Sequence, residues 1–340
     1  MSAHLELEHL SKIFGPAPQV GLQQLQQGKS KAALLEDSGH VLGVNDVSLS
    51  VAQGELFVIM GLSGSGKSTL VRLINRLIEP TAGRVLLNGD DVTAMPQRQM
   101  VQLRREKMSM VFQSFALLPH ASVVDNVAFG LRVAGVDNKL ARRRAHEALE
   151  LVGIAEVAEQ RPEQLSGGMQ QRVGLARAWV TQSDILLMDE AFSALDPLIR
   201  TEMQDALLAL QRTAKRTIVF ISHDLAEAVR IADRIAVMAE GEIRQVGTPT
   251  EIIKNPADDY VREFFRDVQA GRLFTAGDIA LPGRVDAHIE PVAASALLED
   301  ILPRAAQSEQ PLPVADASGN IIGSIDRTRL LQALAKGHLT

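Results

Sequence analysis

Residues 61–69 read GLSGSGKST, a glycine-rich loop ending in a lysine and two hydroxyls. The spacing is the G-x-x-x-x-G-K-[ST] pattern. Its glycines let backbone N–H groups close around phosphate oxygens, its lysine reaches the β- and γ-phosphates, and its serine can ligate Mg²⁺. On that pattern Gly61, Ser63, Gly64, Ser65, Gly66, Lys67, Ser68 and Thr69 are expected to hold the phosphates of a nucleotide. Asp189 and Glu190 follow the apolar run ILLM. An aspartate so placed holds Mg²⁺ directly or through water, making Ser68 and Asp189 candidate metal ligands. Glu190 is a candidate general base for the attacking water, the competing reading being a cap for the next helix. His223 follows IVFI and Ser222; beside a triphosphate it can contact the γ-phosphate, although a solitary histidine is more often structural. EQLSGGMQQRVGLARAWV, residues 163–180, sets Ser166 where an N-cap belongs. The free N–H groups behind it, with Gly167 and Gly168 bare of side chains, form a second anion site.

These groups need elements to position them. LFVIM (56–60), ILLM (185–188) and IVFI (218–221) are too short for helices and too evenly apolar for half-exposed strands. They read as central strands of a parallel sheet buried on both faces. Ligands of open α/β sheets bind beyond the carboxyl ends of the strands. The glycine loop, the acid pair and the histidine are thus expected at one edge, as one composite site. STLVRLINRLI carries Leu70, Leu73, Ile74 and Leu77 at helical spacing behind the loop. Residues 96–180 read as mostly helical, with NKLARRRAHEALELVG capped by Asn138 and stopped at Gly153. Its Arg142–Arg144 cluster reads as a solvated face rather than an anion site.

Residues 16–42 form a glutamine-rich insertion with one or two short helices, anchored by Leu22, Leu25, Leu34 and Leu35. A linker is expected over 266–284, then a small distinct unit over 285–338, in which two strands flank a turn at Ser318–Gly319 and lead to a helix.

At 340 residues, two or three domains are expected. A net charge of −6 and 4% aromatics argue against a general nucleic-acid binder or a base-stacking platform. The absence of cysteine excludes disulfides and thiolate metal sites. No apolar run approaches the ~20 residues that span a bilayer, and no signal-like segment opens the chain. A soluble, cytoplasmic protein is expected.

Together the motifs resemble the ATP-binding-cassette (ABC) ATPases. GLSGSGKST is their Walker A, Gln113 their Q-loop residue and LSGGMQQ their signature. ILLMDE is their Walker B, SALD their D-loop and His223 their switch histidine. All stand in the family's order across 61–223. The resemblance implies a P-loop α/β fold, a RecA-like mixed sheet core with a helical subdomain, spanning 1–265 here. It implies Gln113 as a further Mg²⁺ ligand linking metal occupancy to the helical region, and Phe14, in SKIFG, as the aromatic stacked on adenine. It also accounts for two phosphate-binding helix starts. Two cassettes pair head to tail, so Ser166, Gly167, Gly168 and Gln170 of one copy meet the ATP held by Lys67 of the other, with Asp196 at that interface.

Longer stretches, GLSGSGKSTLVRLINRLIEPTAG, MVFQSFALLPHASVVDNVAFG and LMDEAFSALDPLIRTEMQD, look like the ATP-binding subunit of glycine betaine/L-proline uptake transporters. That resemblance implies a second copy of the chain, a membrane-spanning permease and an extracytoplasmic substrate-binding protein as partners. The chain would sit peripherally on the cytoplasmic face of the inner membrane. The permease would dock near Gln113–Phe129, an apolar stretch that plain core packing also explains. Residues 285–338 resemble a single cystathionine-β-synthase (CBS) type module, where this subfamily commonly carries two. Choline or carnitine import, export, a soluble non-transport ABC ATPase and a non-catalytic nucleotide sensor are the rival readings; the sensor predicts loss of Glu190 or His223, and both are present.

Overall fold

Leu56–Met60, Ile185–Asp189 and Thr217–Ile221 are strands in which every residue is buried. Their sheet runs, in space, Glu242–Gly247, Arg234–Ala239, Leu56–Met60, Thr217–Ile221, Ile185–Asp189 and Met108–Val111. From Arg234–Ala239 to Met108–Val111 every pairing is parallel. Ile59 lies opposite Ile221, and Ile221 opposite Asp189, so three functional loops leave the sheet at one level. The computed structural model describes residues 3–112, 116–193, 195–266, 274–282, 289–308 and 310–336. Packing divides the chain into two units, 1–246 and 247–340.

In the first unit a second, antiparallel sheet is ordered Val41–Ala52, Ala3–Phe14, Ala82–Leu87, Asp90–Asp91. Its Leu5, Leu7, Val44, Val51 and Val85 join one buried cluster with Phe57, Ile59 and Ile221 of the parallel sheet. Leu70, Val71, Leu73 and Ile74 complete it from the helix Lys67–Ile74, which is thereby clamped between the sheets. Truncating one of these large side chains to alanine costs about 2–5 kcal/mol.

The insertion is the tip of a hairpin: Phe14 pairs with Val41, and helices Pro18–Gln26 and Lys31–Ser38 fill the connection. Ile13, Leu22, Leu34 and Leu42 form its own small core, with Leu25 packed at the side. Leu35, expected as an anchor, is instead 53% exposed, because a helix this short docks through the face that carries Leu34.

The stretch 96–180 contains helices Gln97–Glu106, Val123–Val133, Asn138–Leu151 and Gly167–Val180. The strand Met108–Val111 interrupts them, because it pairs with Ile185–Asp189 at the sheet edge. Asp137, not Asn138, caps the third helix, accepting from the N–H groups of Lys139 (3.0 Å) and Leu140 (3.3 Å). Arg142 bridges Asp125 (2.8 Å) and Glu159 (2.6 Å), as a half-solvated structural pair would.

In the second unit Val292–Ala293 runs parallel to Leu312–Ala315, which pairs antiparallel with Ile321–Ile325. Helices Leu298–Gln307 and Arg327–Lys336 complete a β-α-β-β-α order. Asp316 closes the turn, its Oδ1 accepting from the N–H groups of Ser318 (2.8 Å) and Asn320 (2.9 Å). The described part of the expected linker, 274–282, is not a spacer. Phe274 and Ile279 are fully buried, and Leu281 exchanges backbone hydrogen bonds with Ser324. Lys254 Nζ donates to Asp278 at 2.6 Å and lies over the Phe274 ring. Those contacts draw the helix Pro249–Lys254 into the second unit, which therefore begins near residue 247 rather than 266.

Candidate nucleotide site

The loop 61–69 leaves its strand through glycines that no other residue could replace. Gly61 (φ +152°) and Gly66 (φ +106°) lie in the region that favours glycine. A Cβ on Gly61 would sit 2.1 Å from the Met238 carbonyl oxygen, and one on Gly66 2.2 Å from that of Gly43. Lys67 opens the helix, and its Nζ donates to the carbonyls of Gly61 (2.8 Å) and Leu62 (3.0 Å). Burial holds this ammonium below the usual lysine range, against the opposing pull of Glu190 and Asp189. Ser65 Oγ is buried with no partner among the described residues, an unmet polar group in the cradle itself.

Ser68 Oγ donates to Asp189 Oδ1 at 2.8 Å. Burial pushes the Asp189 carboxyl up; the Ser68 hydrogen bond, Arg72 and Lys67 oppose this, and Glu190 reinforces it. Asp189 Oδ2 is buried and accepts no hydrogen bond among the described residues, with Arg72 Nη2 3.7 Å away. A hydroxyl and a carboxylate with an idle oxygen are hard donors suited to a Mg²⁺ that takes its other ligands from phosphates and water. Arg72 escaped the motif reading; its place four residues after Ser68, on the same helix face, is the signal that points to it.

Glu190 stands at φ +48°, an uncommon conformation for a non-glycine residue. Its N–H donates to Ile221 O (3.2 Å), tying it to the strand that ends at the histidine turn. The Glu190 Oε2 lies 3.5 Å from His223 Nδ1, with Glu190 largely buried and His223 at the open rim. Glu190 does not cap the next helix: Asp196 does, its Oδ1 accepting from Ile199 N at 3.1 Å.

Phe14 reaches the same cradle despite the insertion. A Cβ on Gly43 would lie 2.8 Å from Phe14 Cε2 and 3.2 Å from Thr69 Cγ2, so only this glycine separates ring and loop. The Phe14–Val41 pairing makes this possible, since the insertion departs beyond the last paired residues. Phe14 keeps 37% of its surface exposed, leaving it open to a ligand.

Ser166 caps the helix Gly167–Val180, its Oγ accepting from Met169 N at 3.3 Å. Ser166 and Gly167 are exposed, and a Cβ on Gly167 would meet nothing within 4 Å. Gln170 points back instead: its Nε2 donates to the carbonyls of Pro162 (2.9 Å) and Leu165 (3.3 Å), bracing the turn. Gln113 lies outside the described residues; the strand that leads towards it is the edge strand beside Ile185–Asp189.

The geometry can cradle a nucleoside triphosphate, and the comparisons agree. A family model described as ABC transporter matches residues 44–193. The chain is 59% identical over 280 residues to the glycine betaine/proline betaine transport system ATP-binding protein ProV of Escherichia coli (strain K12). That match covers 82% of this chain and 70% of that protein. It is 48% identical over 326 residues to the trimethylamine N-oxide transport system ATP-binding protein TmoW of Ruegeria pomeroyi, covering 96% of this chain and 95% of that one. A dimeric post-hydrolysis structure of the ATP-binding cassette MJ0796, bound to ADP and Pi, matches with a TM-score of 0.62 and 28% identity. It covers 72% of this chain and 98% of that one. With such identity over most of both sequences, this chain belongs to the ABC family as the ATP-hydrolysing subunit of a transporter.

Proposed function

We propose that the chain drives uptake of a small methylated-amine osmolyte, glycine betaine or proline betaine first, by hydrolysing ATP at two composite sites of a homodimer. The observation that carries this is the 59% identity to a glycine betaine/proline betaine transport subunit, joined to a complete phosphate cradle and a second, exposed helix start. The loop Gly61–Thr69 binds the phosphates, with Ser63 and Gly64 on its outer turn, and Phe14 stacks on adenine. Ser68, Asp189 and Gln113 hold Mg²⁺, which neutralises charge on the β- and γ-phosphates when bound. Glu190 takes the proton of the attacking water as the bond to the β–γ bridging oxygen breaks, and His223 contacts the γ-phosphate. Ser166, Gly167 and Gly168 meet the partner's γ-phosphate, with Asp196 at the interface.

Residues 1–246 form the ATP-binding unit, and 285–338 carry a single CBS-type module. A permease docks on the helical region. Val123, Val124, Val127 and Ala128 of that region are core, whereas Phe129 is 46% exposed and open to a partner. No helix among the described residues is long and apolar enough to cross a membrane, so the permease provides the attachment to the cytoplasmic face. An extracytoplasmic binding protein selects the substrate. Trimethylamine N-oxide is the second reading, favoured by a match that spans 95% of that relative, tail included. Choline and carnitine serve as competitors.

The test is uptake of labelled glycine betaine and trimethylamine N-oxide by cells with the gene intact, deleted, or carrying Glu190→Gln, at low and high osmolarity. Glycine betaine uptake that requires Glu190 supports the first reading. Dependence confined to trimethylamine N-oxide replaces it with the second. Uptake of neither, with ATPase activity intact, overturns the substrate class.

A further inference from the structure

The turn that carries His223 is held from behind by a network no sequence motif announces. Ser222 N donates to Ile59 O (3.2 Å), and its hydroxyl donates to the buried Glu227 carboxylate. Asp224 caps the helix Leu225–Ile231, its Oδ1 accepting from Glu227 N at 3.0 Å. Its other oxygen accepts from Arg200 Nη1 at 2.5 Å. The second terminal nitrogen of Arg200, Nη2, donates to the carbonyl of Leu195 at 3.2 Å. Leu195 directly precedes Asp196, is almost wholly buried, and is what a Cβ on Gly168 would meet at 3.4 Å. One guanidinium therefore spans from the SALD segment, beside the signature glycines, to the neighbour of His223. Arg200, Asp224 and His223 line the same small cavity as Glu190.

A plain helix-to-helix brace does not explain this arrangement. The helices Pro197–Ala214 and Leu225–Ile231 are already joined further along by Gln204 to Glu227 (3.2 Å) and by Arg230 to Gln204 (2.9 Å) and Asp205 (2.7 Å). Arg200 Nε is moreover buried with no partner among the described residues, an unmet donor that calls for a reason other than stability.

We propose that Arg200 is a positioning residue for hydrolysis: its two-pronged contact ties Leu195, at the dimer-facing segment, to Asp224, so that closure on ATP sets the His223 turn against Glu190. The inference rests on the dimer reading above. A fork suits the task better than an ammonium, since two acceptors on separate elements must be held at fixed directions.

The test uses the full chain in steady-state ATP hydrolysis, with Arg200→Ala, Arg200→Lys, Asp224→Asn (which keeps the helix cap) and the double variant Arg200→Ala/Asp224→Asn. Expected are a kcat lowered roughly ten- to a hundredfold, as for a small misplacement near the chemistry, and an unchanged KM for ATP. Lysine rescues little, and the double variant resembles the singles. ATP-driven dimerisation, followed in a Glu190→Gln background, and the unfolding midpoint stay near the parent values. A wild-type kcat overturns the proposal. So does a loss matched by lost dimerisation or stability. Should Arg200→Ala not fold, Arg200→Lys and Asp224→Asn decide by the same kcat-against-KM split. Undiminished hydrolysis by Glu190→Gln itself, or by an obligate monomer, would instead remove the underlying reading.

Discussion

At the scale of single residues, the site holds its charges at a cost. Asp189 is 1% exposed, and burial raises its pKa above the ordinary carboxylate value of about 3.9. Between that value and the raised one, the folded state binds more protons than the unfolded, so stability falls as pH rises through the window. Above that window the ionised carboxylate is therefore a net burden on the protein without nucleotide. Asp189→Asn is expected to raise the thermal midpoint of the nucleotide-free chain while abolishing hydrolysis. The gain should shrink as the pH is lowered into the window, where the wild-type carboxyl is itself neutral. Melting curves at several pH values check both signs. A midpoint that drops in the variant above the window would mean that the Ser68 hydrogen bond and Arg72 outweigh desolvation.

At the scale of elements, the hairpin Ala3–Phe14 and Val41–Ala52 shows how a fold tolerates an insertion beside its site. Residues 16–40 leave after the last paired position and return before the first, so their helices add to the hairpin without shifting its register. Replacing 16–40 with a short turn is expected to leave KM for ATP unchanged. Stability should fall by about 2–5 kcal/mol, through loss of the buried Leu22 and Leu34 side chains. Nucleotide titration and denaturant unfolding measure the two. A large rise in KM would show that the insertion itself holds Phe14 against Gly43. The sequence shows that the insertion exists and that Leu22 and Leu34 anchor it. It does not show the register that keeps Phe14 near Thr69, because pairing Phe14 with Val41 is a contact across 27 positions.

At the scale of the whole molecule, the proposed dimer would bring the exposed helix start at Ser166 of one copy to the cradle at Lys67 of the other. Ser166→Arg should leave ATP binding by a single subunit intact and stop hydrolysis. Lys67→Ala should lose hydrolysis through its own cradle. Mixing the two variants restores one good site per heterodimer: the cradle of the Ser166→Arg chain facing the signature of the Lys67→Ala chain. Partial hydrolysis in the mixture, absent from either variant alone, is the expected outcome. A mixture as inactive as its parts would refute the exchange of signatures between copies.

What the sequence by itself determined is the chemistry whose parts are consecutive in the chain. A strand, a glycine loop and a helix start make the phosphate cradle, an apolar run sets the acid pair at a sheet edge, and Ser166 caps its helix. Each depends on residues a few positions apart, so local spacing suffices. Tertiary structure alone decided the rest. It packed Phe274 and Ile279 where a linker is expected, set Phe14 and Thr69 on either side of Gly43, and joined Arg200 to Asp224. Each of these is a competition among polar or apolar groups for partners far apart in sequence. Only the assembled packing determines which partner lies within reach.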